Sequence, residues 1–346
     1  MSHDPDYPRA VSGISSLLPK SDDWSAFAAK HATSPLQHPA WLDTVTSAYR
    51  LHARIMTLTD SRGSIVAGLP MIRSKLPWRT RWTALPFTDT LEPVAVDAAH
   101  RDELLIGLAG RADAEPILLR THTALPGWFT RQVGTVQVID LSDGAEGVLR
   151  GARSKTRQNV RLAEKAGLRA GPIASRDEFL GPSLSLITRS RRRLGAPTQP
   201  RRYWSRVWEL HERGQALTIG VYLGEELVAN ATFIIGGGHA VFKYSASDTA
   251  RRNLRSNYLA FATALDHIVE RGARSLDFGI TDLRNTSLRK YKLHWGGEEQ
   301  PAYFSATDAG MLPDTLEPGP LLTKAIQHTP AFVGRTVGSV AYPYAA

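Results

Sequence analysis

The chain has 346 residues, more than the usual size of about 100–200 residues for one domain, so we expect one large domain or two ordinary ones. Its 42% hydrophobic and 22% charged residues are typical of a soluble globular protein, and no run of about 18 apolar residues predicts stable membrane insertion. The chain has no cysteine, which excludes disulfides, thiolate metal sites and a cysteine nucleophile.

The formal net charge of +9 is concentrated in one window of the sequence. Residues 150–193 contain twelve Lys or Arg against three acids, and the rest of the chain is neutral. A local positive field attracts phosphates and acidic ligands, although a solvated helix surface explains the same pattern. The first 24 residues carry early acids and no apolar segment, so we expect no secretory signal and a cytoplasmic location.

The first half of the sequence predicts helices and antiparallel strands. Residues 1–15 are expected to form a flexible tail, and a helix is predicted over 36–50, where Pro39 lies near the first turn. Alternating segments on either side of Gly63 predict a hairpin. The remaining predicted elements of this half are a helix at 98–112 and strands at 115–121 and 132–141.

The second half repeats this order of elements. Residues 215–247 predict three consecutive antiparallel strands, and a long helix follows at about 255–271. We therefore predict two α+β domains, 16–145 and 167–308, joined by a basic helix at 146–166 and followed by a tail at 309–346. The other predicted elements are helices at 176–194, 201–213, 285–292 and 320–328, and strands at 273–280 and 298–305.

Several enzyme motifs are absent from the sequence. It contains no phosphate-binding G-x-x-x-x-G-K-[ST], no G-x-G-x-x-G, no H-E-x-x-H and no G-x-S-x-G. Its histidines are scattered, and none is paired at metal-ligand spacing. These observations disfavour a P-loop kinase, a zincin, a Rossmann dehydrogenase and an α/β-hydrolase, and we expect no metal site.

The predicted helix at 146–166 carries a regular row of cations. Arg153, Arg157, Arg161 and Lys165 recur every four residues and would form one ridge. Like charges at this spacing destabilise a helix by a few tenths of a kcal/mol each, roughly. An anion bound along the ridge would offset that cost, whereas a solvent-facing helix is the structural alternative.

Two segments resemble the Fem-type aminoacyltransferases of the GNAT superfamily. They are SKTRQNVRLAEKAGL at 154–168 and RGARSLDFGITDLRNTSLRKYKLHWGGEEQPAYF at 271–304, and the resemblance extends over about residues 35 to 305. The positions that match the family pattern are Lys155, Arg157, Val160, Arg161, Ala163, Asp277, Phe278, Gly279, Lys292, Trp295 and Gly296.

This resemblance implies an α+β fold of two tandem GNAT-like domains, each with a mixed, largely antiparallel sheet and flanking helices. It also implies acyl transfer to an amine. The donor would be an aminoacyl-tRNA, and the acceptor would be the amine of a peptidoglycan precursor or of a small molecule, as in natural-product pathways. Peptide-bond formation of this kind needs no cofactor beyond the aminoacyl-tRNA co-substrate.

Two other functions remain open. GNAT enzymes that bind acyl-CoA usually carry a glycine-rich loop before the long helix, because glycines let backbone N–H groups approach the pyrophosphate. The corresponding segment here, 252–257, has no glycine, which disfavours an acyl-CoA-dependent N-acyltransferase. A non-catalytic nucleic-acid-binding protein is the third reading, and the lack of regularly spaced aromatic residues disfavours it.

The candidate catalytic residues are three acids and one tyrosine. Asp89 and Glu92, in the loop ALPFTDTLEP, are possible general bases, and turn formation is the alternative role. Asp277 would orient the amine or form a buried pair with an arginine. Tyr244 would move a proton or fill the core. By analogy with GNAT folds, we expect backbone N–H groups of a splayed strand within 226–235 to stabilise the oxyanion.

Cationic residues are expected to bind the substrates. Lys292 has the motif position that best fits contact with the terminal phosphates of the donor. Arg157 and Arg161 would hold phosphate or carboxylate, because a guanidinium binds such groups bidentately. The full assignment is substrate binding by Lys155, Arg157, Arg161, Lys243 and Tyr258, and tRNA binding by Arg153, Lys165, Arg289, Lys290 and Lys292.

Overall fold

A single sheet of thirteen strands runs through the computed structural model, which describes residues 13–76, 79–85, 87–111, 115–314, 316 and 320–328. Residues 1–12 and 329–346 of the two predicted tails lie outside these ranges. The strands are β1 Ile14–Leu17, β2 Ala53–Thr59, β3 Ile65–Leu76, β4 Arg79–Ala84, β5 Val94–Ala95, β6 Ile117–Thr121, β7 Phe129–Asp140, β8 Leu168–Pro172, β9 Ala216–Leu223, β10 Glu226–Gly236, β11 His239–Ser247, β12 Ser275–Asp282 and β13 Glu298–Ala306.

Helices cover the faces of this sheet. The helices of the described residues are α1 Asp22–His31, α2 Pro39–Tyr49, α3 Ala98–Ala109, α4 Gly144–Gly151, α5 Ser154–Lys165, α6 Arg176–Glu178, α7 Leu184–Arg193, α8 Arg201–Glu212, α9 Ser256–Glu270, α10 Thr286–Leu293 and α11 Pro320–His328. None of them combines the length and the apolar character that crossing a bilayer requires.

The strand order shows that the two halves are built alike. It runs β1-β2-β3-β4-β6-β13 and then β7-β12-β11-β10-β9-β8, so the second six strands mirror the first six. The last strand of each half is exchanged: β7 pairs with β12, and β13 pairs with β6. The strands β7 and β13 also pair with each other along the centre of the sheet. The α+β fold with two tandem, largely antiparallel units is therefore confirmed.

Each half contains one parallel strand pair joined through a long helix. In the first half α3 connects β4 to the parallel strand β6, and in the second half α9 connects β11 to the parallel strand β12. Parallel neighbours need such a crossover because a tight turn reverses the chain direction.

The largest apolar core spans both halves. Trp41 of α2 and Tyr203 of α8 are 1% and 0% exposed, and their rings meet edge to face with centroids 6.5 Å apart. A second core lies under α9, α4 and α5, and a third lies around Phe304 of β13. Burial of aromatic side chains from both halves in one core stabilises the halves against each other.

Two helices occupy the segment expected to form one basic helix over 146–166. Ala152 and Arg153 have extended backbone conformations, which separates α4 from α5. The cause is a tertiary contact, since the Arg153 N–H donates to the His294 carbonyl at 2.9 Å and the Thr156 hydroxyl donates to the same oxygen at 3.1 Å. The row of cations therefore begins at the interruption between α4 and α5 rather than inside a continuous helix.

Candidate active site

The strands β11 and β12 separate after a short parallel contact. They pair over three residues, from His239 opposite Ser275 to Val241 opposite Asp277. Beyond this point β11 follows β10 and β12 follows β7, so a fork opens between them. We call this opening the second-half fork.

A β-bulge lies on each side of the second-half fork. Lys243 is the extra residue of β11, because Phe242 and Tyr244 pair with consecutive residues of β10. The strand β12 carries one extra residue between Asp277 and Ile280, where Gly279 adopts a φ of 71°. Bulges of this kind redirect side chains out of the strand pattern. The two bulges therefore turn polar groups toward the fork.

Four ionisable side chains meet at the fork. Lys243 Nζ donates to Asp89 Oδ2 at 2.8 Å, and their side chains are 5% and 21% exposed. Lys292, which is 3% exposed, donates from Nζ to the Gly279 carbonyl at 2.6 Å. Asp277 Oδ1 accepts the Gly279 N–H at 2.6 Å. The loop after β4, the bulge of β11, the bulge of β12 and α10 thus each contribute one group.

The environment shifts the pKa of two of these groups toward neutrality. Burial raises the pKa of Asp277 to about 6, and the negative charge of Asp89 adds to this effect. Burial lowers the pKa of Lys292 to about 8, although the carboxylates of Asp89 and Asp277 oppose that shift. A carboxyl group with such a pKa can accept a proton near neutral pH.

A cavity of about 250 Å³ lies beside Asp277. His122 and Glu92 line it together with Asp277. Thr90 Oγ1 and His122 Nε2 are 2.8 Å apart, and the backbone N–H of His122 donates to Glu92 Oε1 at 3.0 Å. Glu92 Oε1 thus accepts a backbone N–H from His122, as Asp277 Oδ1 does from Gly279, and both acids line the cavity.

Of the two acids predicted as general bases, Glu92 lines the cavity and Asp89 is paired with Lys243. Asp277, which was expected to orient the amine or to pair with an arginine, also lines the cavity, and burial raises its pKa to about 6.

The aromatic residues beside the fork form a packed wall. The hydroxyl groups of Tyr244 and Tyr203 are 2.5 Å apart, and Tyr244 packs on Trp204. Burial raises the pKa of Tyr203 well above its usual value. Lys243 Nζ lies 6.0 Å from the centroid of Trp41 and 5.9 Å from that of Tyr244. Tyr244 therefore supports the position of Lys243 and has its hydroxyl in the interior.

The splayed strand is not where the sequence predicted it. β10, which contains 226–235, is hydrogen-bonded to β9 on one edge and to β11 on the other. The expectation of free N–H groups on this strand is therefore wrong. The reason is topological, because antiparallel hairpin partners stay paired whereas the parallel pair β11/β12 diverges around the crossover helix.

The predicted cations of α5 divide into two kinds. Arg157 is half-buried, and its Nη1 donates to the carbonyls of Leu149, Arg150 and Ala152 at the end of α4. It therefore caps a helix within the protein. The second kind of cation is exposed and forms no ion pair with any described residue. These cations are Arg153, Lys155, Arg161 and Lys165.

The remaining predicted site residues lie on or beside α10. Arg289 forms an ion pair with Glu299, whose carboxylate also accepts from Gln137. Lys290 is exposed to solvent. Tyr258 of α9 packs against Tyr291 and Trp295, with ring centroids 5.2 and 6.1 Å away. Of the three cations expected to bind phosphate on α10, Lys292 alone reaches the fork, where it supports the β12 bulge.

Sequence reasoning missed His122 at the fork, and it placed Gly279 in the family motif without giving it a structural role. His122 follows β6 and joins the cavity through tertiary contacts that no local pattern signals. The bulge at Gly279 could have been predicted, since a glycine inside a strand often marks a bulge. In the described ranges, no group of three or more His, Asp or Glu side chains is arranged to hold a metal ion.

Comparisons with known proteins agree with the tandem GNAT-like fold. Residues 151–293 match the family described as "Acetyltransferase (GNAT) domain". The fold is similar to the crystal structure of FemX, with a TM-score of 0.61 and 17% identity over 84% of this chain and 96% of that chain. It is also similar to L-PGS from Bacillus licheniformis, with a TM-score of 0.54 and 15% identity over 92% of this chain and 98% of that one.

A third similar structure is a tandem GNAT protein from the clavulanic acid biosynthesis pathway, with a TM-score of 0.50 and 14% identity over 85% of this chain and 98% of the other. No curated protein sequence matches this chain. Residues 151–293 are thus similar to the acetyltransferase (GNAT) domain family, and the fold of the chain is similar to that of FemX.

Proposed function

We propose that this protein transfers an aminoacyl group from aminoacyl-tRNA to the amine of a small-molecule or peptide acceptor. The observation that carries this proposal is the second-half fork, where a carboxyl group with a pKa of about 6 lines a cavity. An ester of tRNA is already activated, so the protein must position the substrates, accept a proton and stabilise an oxyanion.

In the proposed reaction the acceptor nitrogen attacks the ester carbonyl carbon, and Asp277 accepts the proton that the nitrogen loses. The bond between that carbon and the ribose oxygen then breaks, and the proton passes to the leaving ribose hydroxyl. Backbone groups that are released where β11 and β12 separate would face the oxyanion. Lys292 holds the β12 bulge in place and keeps a positive charge next to the reacting atoms.

The unpaired cations of α5 support tRNA as the donor. The N-terminus of α5 is bonded to the His294 carbonyl, two residues along the chain from Lys292. A phosphate backbone lying on Lys155, Arg161 and Lys165 would thus approach the same part of the protein as the fork. These cations have no acid to neutralise them within the described residues, so an external polyanion is the natural partner.

An acyl-CoA donor is the second candidate. The matched family is described as an acetyltransferase domain, which favours this donor. Against it, the segment before α9 has no glycine, and Arg255 occupies the left-handed conformation there with a φ of 58°. Arg251 of the same segment is paired with Glu226. This segment therefore lacks the glycines that let a backbone approach a pyrophosphate closely.

A donor competition distinguishes the two candidates. The full chain would be incubated with a mixed pool of radiolabelled aminoacyl-tRNA, a panel of amines and, in parallel, labelled acetyl-CoA. We expect amide formation from aminoacyl-tRNA, and we expect tRNA binding to weaken steeply as salt increases. Acetyl transfer without any transfer from charged tRNA would overturn the proposal in favour of the CoA-dependent reaction. Salt-dependent tRNA binding without transfer from either donor would favour the non-catalytic role.

A further inference from the structure

The cavity beside Asp277 is lined by acids and not by strong bases. Its carboxylates are those of Glu92 and Asp277, and no lysine or arginine is among the described residues that line it. His239 also lines it, within 2.8 Å of the Ser275 hydroxyl, and burial lowers the pKa of His239, so this imidazole is neutral near pH 7. His122 can carry one positive charge at most. The two carboxylates therefore make the lining of the cavity negative.

The carboxylate of Glu92 is held in a defined position on the cavity wall. Gln37, which is 5% exposed, donates from Nε2 to the Glu92 carbonyl at 3.1 Å. The amide oxygen of Gln37 in turn accepts the backbone N–H groups of Thr33 and Ser34 at 2.8 and 3.0 Å. At its other end, Glu92 Oε1 accepts the backbone N–H of His122. Both the backbone and the side chain of Glu92 are thus fixed before a ligand binds.

Both acids of the cavity have acceptor sites that the protein leaves unused. A carboxylate can accept about four hydrogen bonds, whereas Glu92 and Asp277 each accept one backbone N–H. Neither acid forms an ion pair within the part of the chain that the structure describes. The neighbouring acid Asp89, in contrast, is paired with Lys243. Partly buried carboxylates are ordinarily paired, so a cation from outside the protein would complete this site.

The size of the cavity restricts what that cation can be. A volume of about 250 Å³ is below the range of roughly 300–1,000 Å³ that is typical of sites for drug-sized ligands. The cavity therefore admits a small molecule or one end of a larger one. Two carboxylates in so small a space suit a ligand that carries two positive groups.

We propose that this cavity binds acceptors with two amino groups, one of which reacts beside Asp277 while the other is held as an ammonium by Glu92. The proposal rests on the proposed acyl transfer to an amine and specifies the acceptor class as diamines. The reacting nitrogen loses its proton to Asp277. The second nitrogen keeps its proton, and its three N–H donors form charge-assisted hydrogen bonds with Glu92.

Equilibrium binding of a matched ligand series tests the proposal without any acyl donor. The full chain would be titrated by calorimetry with putrescine, pentylamine and δ-aminovalerate, in which the same aminobutyl chain ends in an ammonium, a methyl or a carboxylate group. We expect putrescine to bind about tenfold more tightly than pentylamine, and δ-aminovalerate to bind the most weakly. The net charge of +9 repels a dication in general, so a preference for putrescine reports a local negative site.

One variant and one control complete the test. Glu92→Gln keeps an oxygen for the His122 N–H and removes the charge, so it should weaken putrescine binding about tenfold and leave pentylamine binding unchanged. Glu225→Gln changes the net charge equally by removing an exposed carboxylate that is paired with Arg169, and it should have no effect. Circular dichroism checks that both variants are folded, and the ranking of the three ligands on the parent does not depend on either.

The diamine proposal is overturned if putrescine binds no more tightly than pentylamine, if δ-aminovalerate binds most tightly, if none of the three binds, or if Glu92→Gln retains the preference of the parent. Acyl transfer to pentylamine as readily as to putrescine would also overturn it, and the proposed function would stand. A preference for putrescine in binding supports the site even where no transfer is detected, and that result would remove only the proposed function.

Discussion

The two halves of the molecule contain the same fork with different residues in it. In the first half, β4 and β6 are paired only at Trp82/Ile117 and Thr83/Leu118 before they separate. Two positions beyond Thr83 is Leu85, which is 0% exposed, and Leu118 is 3% exposed. These two positions of the first-half fork are therefore apolar and buried.

The corresponding positions of the second-half fork are Lys243 and Asp277. Lys243 is two residues beyond the last paired residue of β11, and Asp277 is the last paired residue of β12. The corresponding positions are thus buried leucines in one half and ionisable residues, beside two β-bulges, in the other. The fork supplies a gap between two strands, and the residue types decide whether apolar side chains or ionisable groups occupy that gap.

The first half nevertheless contributes to the second-half fork. Its loop after β4 provides Asp89, and the Trp41 indole donates to Thr88 Oγ1 of the same loop at 3.1 Å. The shared core and the exchanged strands bring this loop against β11 and β12. The ionisable cluster of the second-half fork is therefore completed by a loop of the first half.

Replacement of Asp277 should have the greatest effect on this contrast. Asp277→Asn makes the second-half fork resemble the uncharged first one, and we expect it to reduce kcat/KM by about 10²–10⁴-fold, the usual contribution of a general base. In the parent, kcat/KM should rise with pH up to about 6, because the carboxylate is then deprotonated. A rate profile with no inflection near pH 6 contradicts the assignment.

Stability should change in the opposite direction. The pKa of Asp277 is raised on folding, so its contribution to stability is complete below pH 4 and is lost as the pH rises through about 6. The melting temperature of Asp277→Asn relative to that of the parent should therefore be higher at pH 8 than at pH 4. Equal differences at both pH values would indicate an unburied carboxyl group.

Breaking the ion pair of the second-half fork should strongly destabilise the fold. Lys243→Met leaves Asp89 without its partner, and we expect a loss of about 3 kcal/mol in the free energy of unfolding. The double variant with Asp89→Asn should recover part of this loss, because no charge is then left unpaired. Denaturant titration measures both, and strictly additive losses would show that the pair is not coupled.

The bulge in β12 should be sensitive to a single methyl group. A Cβ at Gly279 would lie 3.1 Å from Asp89 Oδ2, and the φ of 71° strains any other residue. We expect Gly279→Ala to cost about 1–3 kcal/mol in stability and to reduce kcat. Gly224→Ala is the matched control, since its φ is 59° and no atom lies within 4 Å. Equal effects of the two variants on kcat would show that the β12 bulge does not contribute to the reaction.

The smallest effects should come from α5, which lies only in the second half. Arg157→Ala removes the donor to the last carbonyls of α4 and should cost about 1 kcal/mol in stability. Arg161→Ala should leave stability unchanged and weaken tRNA binding, with a shallower dependence on salt. Thermal unfolding and filter binding distinguish the two variants. The reverse pattern would mean that Arg157 and not Arg161 contacts the donor.

Local patterns predicted most of the elements near the site. The helix expected at 285–292 is α10, and the long helix expected at 255–271 is α9. These segments have apolar periodicity and cap residues, which act over neighbouring positions. The interruption of the helix at 152 and 153 was not predictable from local patterns. It depends on a hydrogen bond to His294, which is more than 130 residues away in the chain.

The sequence by itself determined the repeated α+β order, the concentration of positive charge in 150–193 and the positions of Asp277 and Lys292 in a family-like motif. Only the tertiary structure decided which cations are satisfied within the protein: Arg157 by α4, Arg289 by Glu299 and Lys292 by Gly279. The physical reason is that periodicity depends on neighbours in the chain, whereas burial and pairing of charge depend on groups that only the folded sheet brings together.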